Sequence, residues 1–300
     1  MKINEKNVLV IIGPTAVGKS SLGVRLSFLF DAEIVSADSR QIYKYMDIGT
    51  AKPDKLDLAS IPHHLIDEIR PDEDFNLSLF LRKARKAIDD IHKKGKLPIL
   101  LGGTGQYIWA LLEGWQVPAV APNIELRSTL EKQARIHGNQ SLYEELIKLD
   151  PGIAKNIDKN NIRRLIRAIE KLKDKNYQAE LGNLTLRKDP PAYKLKIIGL
   201  NLKRETLYKI ADNRVDNMIK LGWIEEVENL LEDFINRSIE NGKRLVLVIT
   251  GKGKEGEGVI KNNIISWLNT KDLRNKILAA NYASKKHGGS GAIYILLRKI

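Results

Sequence analysis

The sequence predicts an α/β protein: a parallel sheet, an all-helical insertion, and a small α/β segment at the C-terminal end. Three observations predict it. Short, fully apolar, β-branched runs alternate with helical spacings over the first 120 residues and return near residue 195. Residues 124–180 hold no strand-like run and many helix formers. From Leu245 onward a strand–helix–strand pattern starts afresh.

Each element follows from its residues. Val8–Ile12 is a continuous apolar run of the kind a strand buried on both faces requires. A glycine loop follows, and Ser20-Ser21-Leu22-Gly23-Val24-Arg25-Leu26 opens a helix. Ala32–Ser36 reads as a second strand ending at Asp38, and Leu97–Leu101 as a third that runs into Gly102-Gly103-Thr104-Gly105. Residues 78–94 between them have helical spacing. The insertion carries Leu142–Ile147 and Ile162–Leu172 as helices. Leu195–Leu200 returns as a strand, and Arg204–Asp233 reads as one long amphipathic helix. Leu245–Ile249, a loop with four glycines from Gly251 to Gly258, a helix over Val259–Leu268 and a strand over Ala292–Leu297 complete the chain. The expected division is a core of residues 1–120 and 194–230, an insertion over 121–193, and a third part over 231–300.

The bulk numbers narrow the function classes. No apolar run approaches the roughly 20 residues of a membrane span, and no signal-peptide pattern is present. Cysteine is absent, which removes disulfides, cysteine–zinc sites and thiol catalysis. A cytoplasmic monomer, not membrane-bound, is expected. Fifty Lys and Arg against 37 Asp and Glu give a net charge of +13, which suits an anionic partner, nucleic acid foremost. Residues 231–300 hold 13 basic and 6 acidic residues, so +7 of that surplus lies there.

Gly13-Pro14-Thr15-Ala16-Val17-Gly18-Lys19-Ser20 matches G-x-x-x-x-G-K-[S/T] in full, with a strand before it and a helix after. Such a loop wraps backbone N–H groups around phosphate oxygens, and the helix N-terminus adds favourable partial charge. Lys19 supplies a mobile cation for the terminal phosphate, and Ser20 a hydroxyl for Mg²⁺. The core is therefore P-loop NTPase-like, and the motif alone proposes a nucleotide. The Asn-Lys-x-Asp motif of a GTPase is missing. A small-metabolite kinase stays open, as does a nucleic-acid-binding protein working through its C-terminal part. His63-His64 has no third ligand in a recognisable metal pattern and reads as a structural turn. Trp115 and Tyr107 read as packing residues.

Other segments are more specific. Ser36-Ala37-Asp38-Ser39-Arg40-Gln41-Ile42-Tyr43 is followed by Met46-Asp47-Ile48-Gly49-Thr50-Ala51-Lys52-Pro53, by His63–Asp67 and by Gly102–Tyr107. Asp150-Pro151, Asn161–Glu170, Arg214–Met218 and Gly222–Val227 continue the series. With the P-loop, these segments resemble the tRNA dimethylallyltransferase (tRNA isopentenyltransferase) family over about residues 1–228.

The resemblance implies transfer of a dimethylallyl group from dimethylallyl diphosphate to N6 of adenosine 37 of tRNA, beside the anticodon, with Mg²⁺ as cofactor. The P-loop, residues 13–20, would then cradle a diphosphate leaving group. Asp38 would act as general base, since an aromatic amine is a poor nucleophile until its proton is accepted. A Mg²⁺-holding role for Asp38 is the competing reading. Thr15, Lys19, Ser20 and Arg214 would stabilise the departing diphosphate. Asp38, Ser39, Arg40, Gln41, Thr104 and Arg127 would face the tRNA. Arg163, Arg164 and Arg167 lie within five residues of one predicted helix, as a phosphate backbone requires.

The family's Gly-Tyr-containing stretch and Lys-Arg-Gln-x-x-Trp-like helix are missing, which implies a weakened transferase. From about Leu231 the chain instead resembles part of a small MutS-related (Smr) domain, in Ile249–Gly253, Gly258–Lys261, Trp267-Leu268 and His287–Ala292. That family's leading Leu-Asp-Leu-His-Gly stretch is absent, and Thr250 stands where a histidine would precede Gly-Lys-Gly. Nucleic-acid binding is implied more than nuclease chemistry.

Overall fold

The structure, a computed structural model, describes residues 6–115, 117, 122–174, 193–251, 253 and 258–299. The chain forms two compact units, one of residues 1–75, 87–104 and 194–300, the other of residues 76–86 and 105–193.

The first unit is organised by a five-stranded parallel sheet. Its strands are β1 (Asn7–Ile12), β2 (Ala32–Ser36), β3 (His63–His64), β4 (Leu97–Leu101) and β5 (Lys194–Gly199), in the order β3-β2-β4-β1-β5. The order reverses at β1, whose neighbours β4 and β5 are far away in sequence. Leu9, Ile11, Ile34, Ile99 and Leu101 fill one buried cluster, as the apolar runs require. The helix α1 (Lys19–Phe30) follows β1 directly, α2 (Lys55–Ser60) precedes β3, and α3 (Leu77–Lys93) precedes β4.

Two expectations need correction here. His63-His64 is a short strand rather than a turn, paired in parallel with Ile34 and Val35. His64 meets the buried Glu33 carboxylate at 2.9 Å, so these histidines serve the sheet edge. The segment from Arg204 is also broken: α9 (Arg204–Lys220) ends at Leu221, and α10 (Trp223–Glu240) begins after Gly222. Gly222 has φ +96°, a left-handed conformation that glycine adopts without penalty. Helical periodicity continues across the break, which is why the sequence reads as one helix.

The same unit contains a three-stranded antiparallel sheet, β6 (Leu245–Ile249), β7 (Ile277–Tyr282) and β8 (Ala292–Leu297), in the order β6-β8-β7. The sequence reading missed β7, because Ala279, Ala280 and Asn281 are weak strand formers. Leu231 and Ile235 of α10 pack with Val246, Ile293, Ile295 and Leu297, and with Ile264, Trp267 and Leu268 of α11 (Val259–Leu268). A one-turn helix, α12 (Lys271–Arg274), leads into β7.

In the second unit, α4 (Gly105–Leu112), α5 (Ile124–His137), α6 (Asn139–Leu149), α7 (Pro151–Ala154) and α8 (Ile162–Lys173) carry the structure. Leu130, Leu142, Leu146, Leu165 and Ile169 form its buried centre. Asn123, Asp150 and Asn161 each cap the helix that follows with a side-chain oxygen. Tyr107 stacks on Phe80 at 4.2 Å between ring centroids, in line with a packing role. Residue 121 and residues 175–192 of the predicted insertion lie outside the described residues.

Candidate active site

The loop between β1 and α1 holds the P-loop at the carboxyl ends of the parallel strands, where the strand order reverses. Gly18 caps α1, so the first helical N–H groups are open to an anion. Thr15 and Ser20 are exposed. Lys19 is half-buried, and its ammonium donates to the carbonyls of Gly13 at 3.0 Å and Pro14 at 2.8 Å. Burial lowers its pKa, the Asp38 carboxylate opposes that shift, and the Arg214 guanidinium adds to it. Arg214, on α9, therefore acts on the P-loop lysine across nearly two hundred residues of sequence.

Asp38 lies just past β2, in a turn fixed at both ends. Ala37 N–H donates to Leu101 O at 2.7 Å, and Thr104 N–H to Ala37 O at 3.2 Å. The Asp38 carboxylate accepts Arg40 N–H at 2.8 Å, and the Thr104 hydroxyl accepts Ser39 N–H at 3.1 Å. Asp38, Ser39, Thr104 and the exposed Arg40 thus share one turn beside the P-loop. Gln41 is placed differently. It is buried, with its amide donating to the carbonyls of Thr50 and Ala51 at 3.3 and 3.0 Å and accepting from Ser36 Oγ at 3.2 Å. Its side chain holds the turn to the loop that follows.

That following loop was not singled out as a site by the sequence, and it is unusually constrained. Tyr45, Ala51, Leu65 and Asp67 all have positive φ, which costs a non-glycine residue of order 1 kcal/mol. The buried ammonium of Lys52 ties it, donating to Tyr43 O at 2.7 Å, to Asp47 at 2.6 Å and to the Asp67 carboxylate. Glu226 of α10 closes the loop, accepting the N–H groups of Asp47, Ile48 and Gly49 at 2.7, 2.7 and 3.0 Å. A Cβ on Gly49 would fall 2.1 Å from Trp223 Nε1, so only glycine admits this approach. Both partners sit in quoted segments, Met46–Pro53 and Gly222–Val227, but nothing local in either announces the other.

Within the second unit the expected arginines separate into two pairs. Glu170, 2% exposed, accepts Arg127 Nε and Nη2 at 2.8 Å each and Arg167 Nη1 at 2.5 Å. Burial alone would raise its carboxyl, but these guanidiniums and the Asn123 N–H outweigh burial and hold it at about 2. Arg163 and Arg164 are exposed on the first turn of α8.

Among the described residues no three His, Asp or Glu side chains gather as a metal cluster. Oxygen donors at or beside the P-loop include the hydroxyls of Thr15 and Ser20 and the Asp38 carboxylate. Hard oxygen ligands in that number fit a Mg²⁺ that completes its shell with substrate phosphate and water. No helix among the described residues is long and apolar enough to cross a membrane.

Comparison with known proteins gives these features a family. Residues 41–251 match the IPP transferase family model, and residues 223–298 match the Smr domain model. A tRNA dimethylallyltransferase of Roseiflexus castenholzii is 49% identical over 227 residues, covering 75% of this chain and 72% of that one. That of Acetivibrio thermocellus is 46% identical over 226 residues, covering 75% and 72%. A solved structure of a eukaryotic dimethylallyltransferase acting on tRNA is similar with TM-score 0.66 and 29% identity, over 79% of this chain and 59% of that one. The full-length tRNA isopentenylpyrophosphate transferase from Bacillus halodurans is similar with TM-score 0.51 and 33% identity, over 90% and 83%. The two family matches overlap over residues 223–251, so α10 and β6 belong to both. The chain belongs to the IPP transferase family and carries an Smr domain at its C-terminal end.

Proposed function

We propose that this protein transfers a dimethylallyl group from dimethylallyl diphosphate to N6 of adenosine 37 in tRNA, releasing diphosphate and acting as a monomer. The observation that carries the proposal is the electrostatic meeting of Lys19, Asp38 and Arg214, an anion cradle with a carboxylate at its edge. A kinase could use the same cradle and carboxylate; the family match over residues 41–251 and the 49% identity to a tRNA dimethylallyltransferase favour prenyl transfer.

In this reading the diphosphate binds the loop Gly13–Ser20, where Lys19 leaves its backbone carbonyls for phosphate oxygens. The adenine N6 lone pair attacks C1 of the allylic group as the C1–O bond breaks. The electron pair of that bond goes to the diphosphate, and the N6 proton goes to the Asp38 carboxylate. Charge grows on the departing oxygen, so Thr15, Lys19, Ser20 and Arg214 contribute most in the transition state. Ser20 is the residue that would hold Mg²⁺, which when bound supplies further neutralisation of the leaving group. Asp38, Ser39, Arg40, Gln41 and Thr104 would form the acceptor turn, with Gln41 as its anchor. Arg163 and Arg164 would bind tRNA phosphates, and Arg127 and Arg167, which already meet Glu170, would face the tRNA beside them. We assign the transferase core to residues 1–120 and 194–230, the helical insertion to 121–193 and the Smr-like part to 231–300, with α10 crossing the last boundary.

Purified protein, dimethylallyl diphosphate, Mg²⁺ and unmodified tRNA give prenylated adenosine under this proposal. Asp38→Ala lowers kcat by about 10³-fold, the range for loss of a general base, and leaves donor binding intact. Donor binding without any product from the wild-type protein would refute it.

A further inference from the structure

We propose that Glu226 is a positioning residue for the acceptor turn Asp38–Gln41, and that α10 serves as the brace through which the Smr-like part steadies that turn. The proposal rests on the reading that this turn receives tRNA.

The path is continuous in hydrogen bonds. The Glu226 carboxylate takes three successive backbone N–H groups, from Asp47, Ile48 and Gly49. Three converging amides form a concave anion site, and here an intramolecular carboxylate fills it. The next two carbonyls, of Thr50 and Ala51, accept the Gln41 amide. Gln41 is the last residue of the turn, and its own carbonyl accepts Asp67 N–H at 3.2 Å. On the other side of the turn, Ile42 O accepts Glu68 N–H and Ile69 N–H, and Ile69 O accepts Lys44 N–H. That second segment also reaches α10, through Arg70 to Asp233 at 2.8 Å and through Asp72 to Arg237. Both of these arms, which hold the Gln41 end of the turn, therefore end on one helix.

The helix is held from its other side. Glu226, Asp233 and Arg237 occupy one stripe of α10, while Val227, Leu231, Ile235 and Ile239 occupy another that packs in the Smr-like core. At 100° per residue these stripes are separate faces. An 18-residue helix with only its polar stripe docked would have little to keep it formed. The apolar stripe supplies what that one lacks. The backbone strain between Tyr45 and Asp67 is consistent with a segment over-determined by its surroundings.

The test uses the full chain and two readouts. Hydrogen–deuterium exchange reads the amides of Asp47, Ile48 and Gly49 directly; steady-state kinetics separate the tRNA KM from the dimethylallyl diphosphate KM. E226A is expected to speed exchange of those amides at least about tenfold and to raise the tRNA KM about tenfold, with the donor KM within about twofold. E226Q keeps one carbonyl oxygen but sets its NH₂ against an N–H donor, and falls between E226A and the wild type in both readouts. It also serves should E226A fail to fold. I235A loosens the Smr-like core without touching the carboxylate, and through the brace it speeds exchange of the same amides and raises the tRNA KM, each by less than E226A.

Unchanged exchange at 47–49 in E226A and E226Q overturns the proposal. So does wild-type exchange at 47–49 together with a wild-type tRNA KM in an I235A protein whose Smr-like core exchanges faster, which would mean that the Smr-like part does not steady the turn. Arg40→Ala separates the two layers of argument: a wild-type tRNA KM there overturns the acceptor-turn reading, and this proposal with it, even where exchange responds as expected.

Discussion

Two pairs of basic residues, each far apart in sequence, are used differently by the structure. Lys19 and Arg214 are brought within electrostatic reach of each other, with the Asp38 carboxylate to offset them, and burial depresses the lysine further. Such a site has positive charge waiting for an anion. Arg127 and Arg167 are instead drawn onto Glu170, which is almost wholly buried and strongly acidic. One cluster stores unspent charge, and the other spends it on its own carboxylate. A count of basic residues cannot separate them, because the distinction lies in where the carboxylates fall.

The contrast can be broken at several points. The largest effect is expected at the P-loop, where Lys19→Ala lowers kcat/KM about 10²–10³-fold through loss of leaving-group stabilisation. Arg214→Ala acts in the same direction by about tenfold or more, and a matching loss of donor affinity by titration calorimetry checks both. At the second cluster, Glu170→Gln should cost about 2 kcal/mol of stability in chemical denaturation, since it strips a charged partner from two guanidiniums. Its carboxyl is held below the usual value, so the stability it contributes is complete above the unfolded pKa. That stability drains away as pH falls from about 4.5 toward about 2, and circular dichroism of the helical unit follows the loss. The smallest effect is expected from Arg163→Ala combined with Arg164→Ala. It raises the tRNA KM several-fold and flattens the log–log salt dependence by about 1–2, as loss of two phosphate contacts requires. Equal effects from Arg127→Ala on the salt slope alone, with stability unchanged, would erase the contrast.

Much of this was legible in the residues. The P-loop, β1, β2 and β4, and the helical character of the insertion followed from apolar runs and glycine spacing, because those patterns are local. The Asp38 turn was legible through its neighbours in sequence, and Thr104 meets it through two hydrogen bonds, its N–H to Ala37 O and its hydroxyl from Ser39 N–H. What escaped was non-local or masked by a competing pattern. Glu226 reads as a solvent-facing helix carboxylate, and its three amide partners are 177 to 179 residues away. Glu170 reads as one more charge in a mixed helix, until Arg127 arrives from another helix. Gly222 broke a helix whose periodicity ran on through it, because only the backbone angle distinguishes a stop from a pause. Gln41 was expected to face tRNA, yet burial turns its amide inward, an outcome that residue type alone does not dictate.

The two faces of α10 have a consequence in terms of helical phase. A single residue inserted near Asn229 would rotate everything after it by about 100° about the helix axis. Either Leu231, Asp233, Ile235 and Arg237 would all leave their partners, or they would stay and Glu226 would swing off the amides of residues 47–49. A seven-residue insertion would restore the angle to within about 20° and lengthen the helix by about 10 Å. The segment where the two family matches overlap is thus a register as well as a boundary. Substitutions there are tolerated or rejected by side chain, but insertions and deletions are filtered by angle.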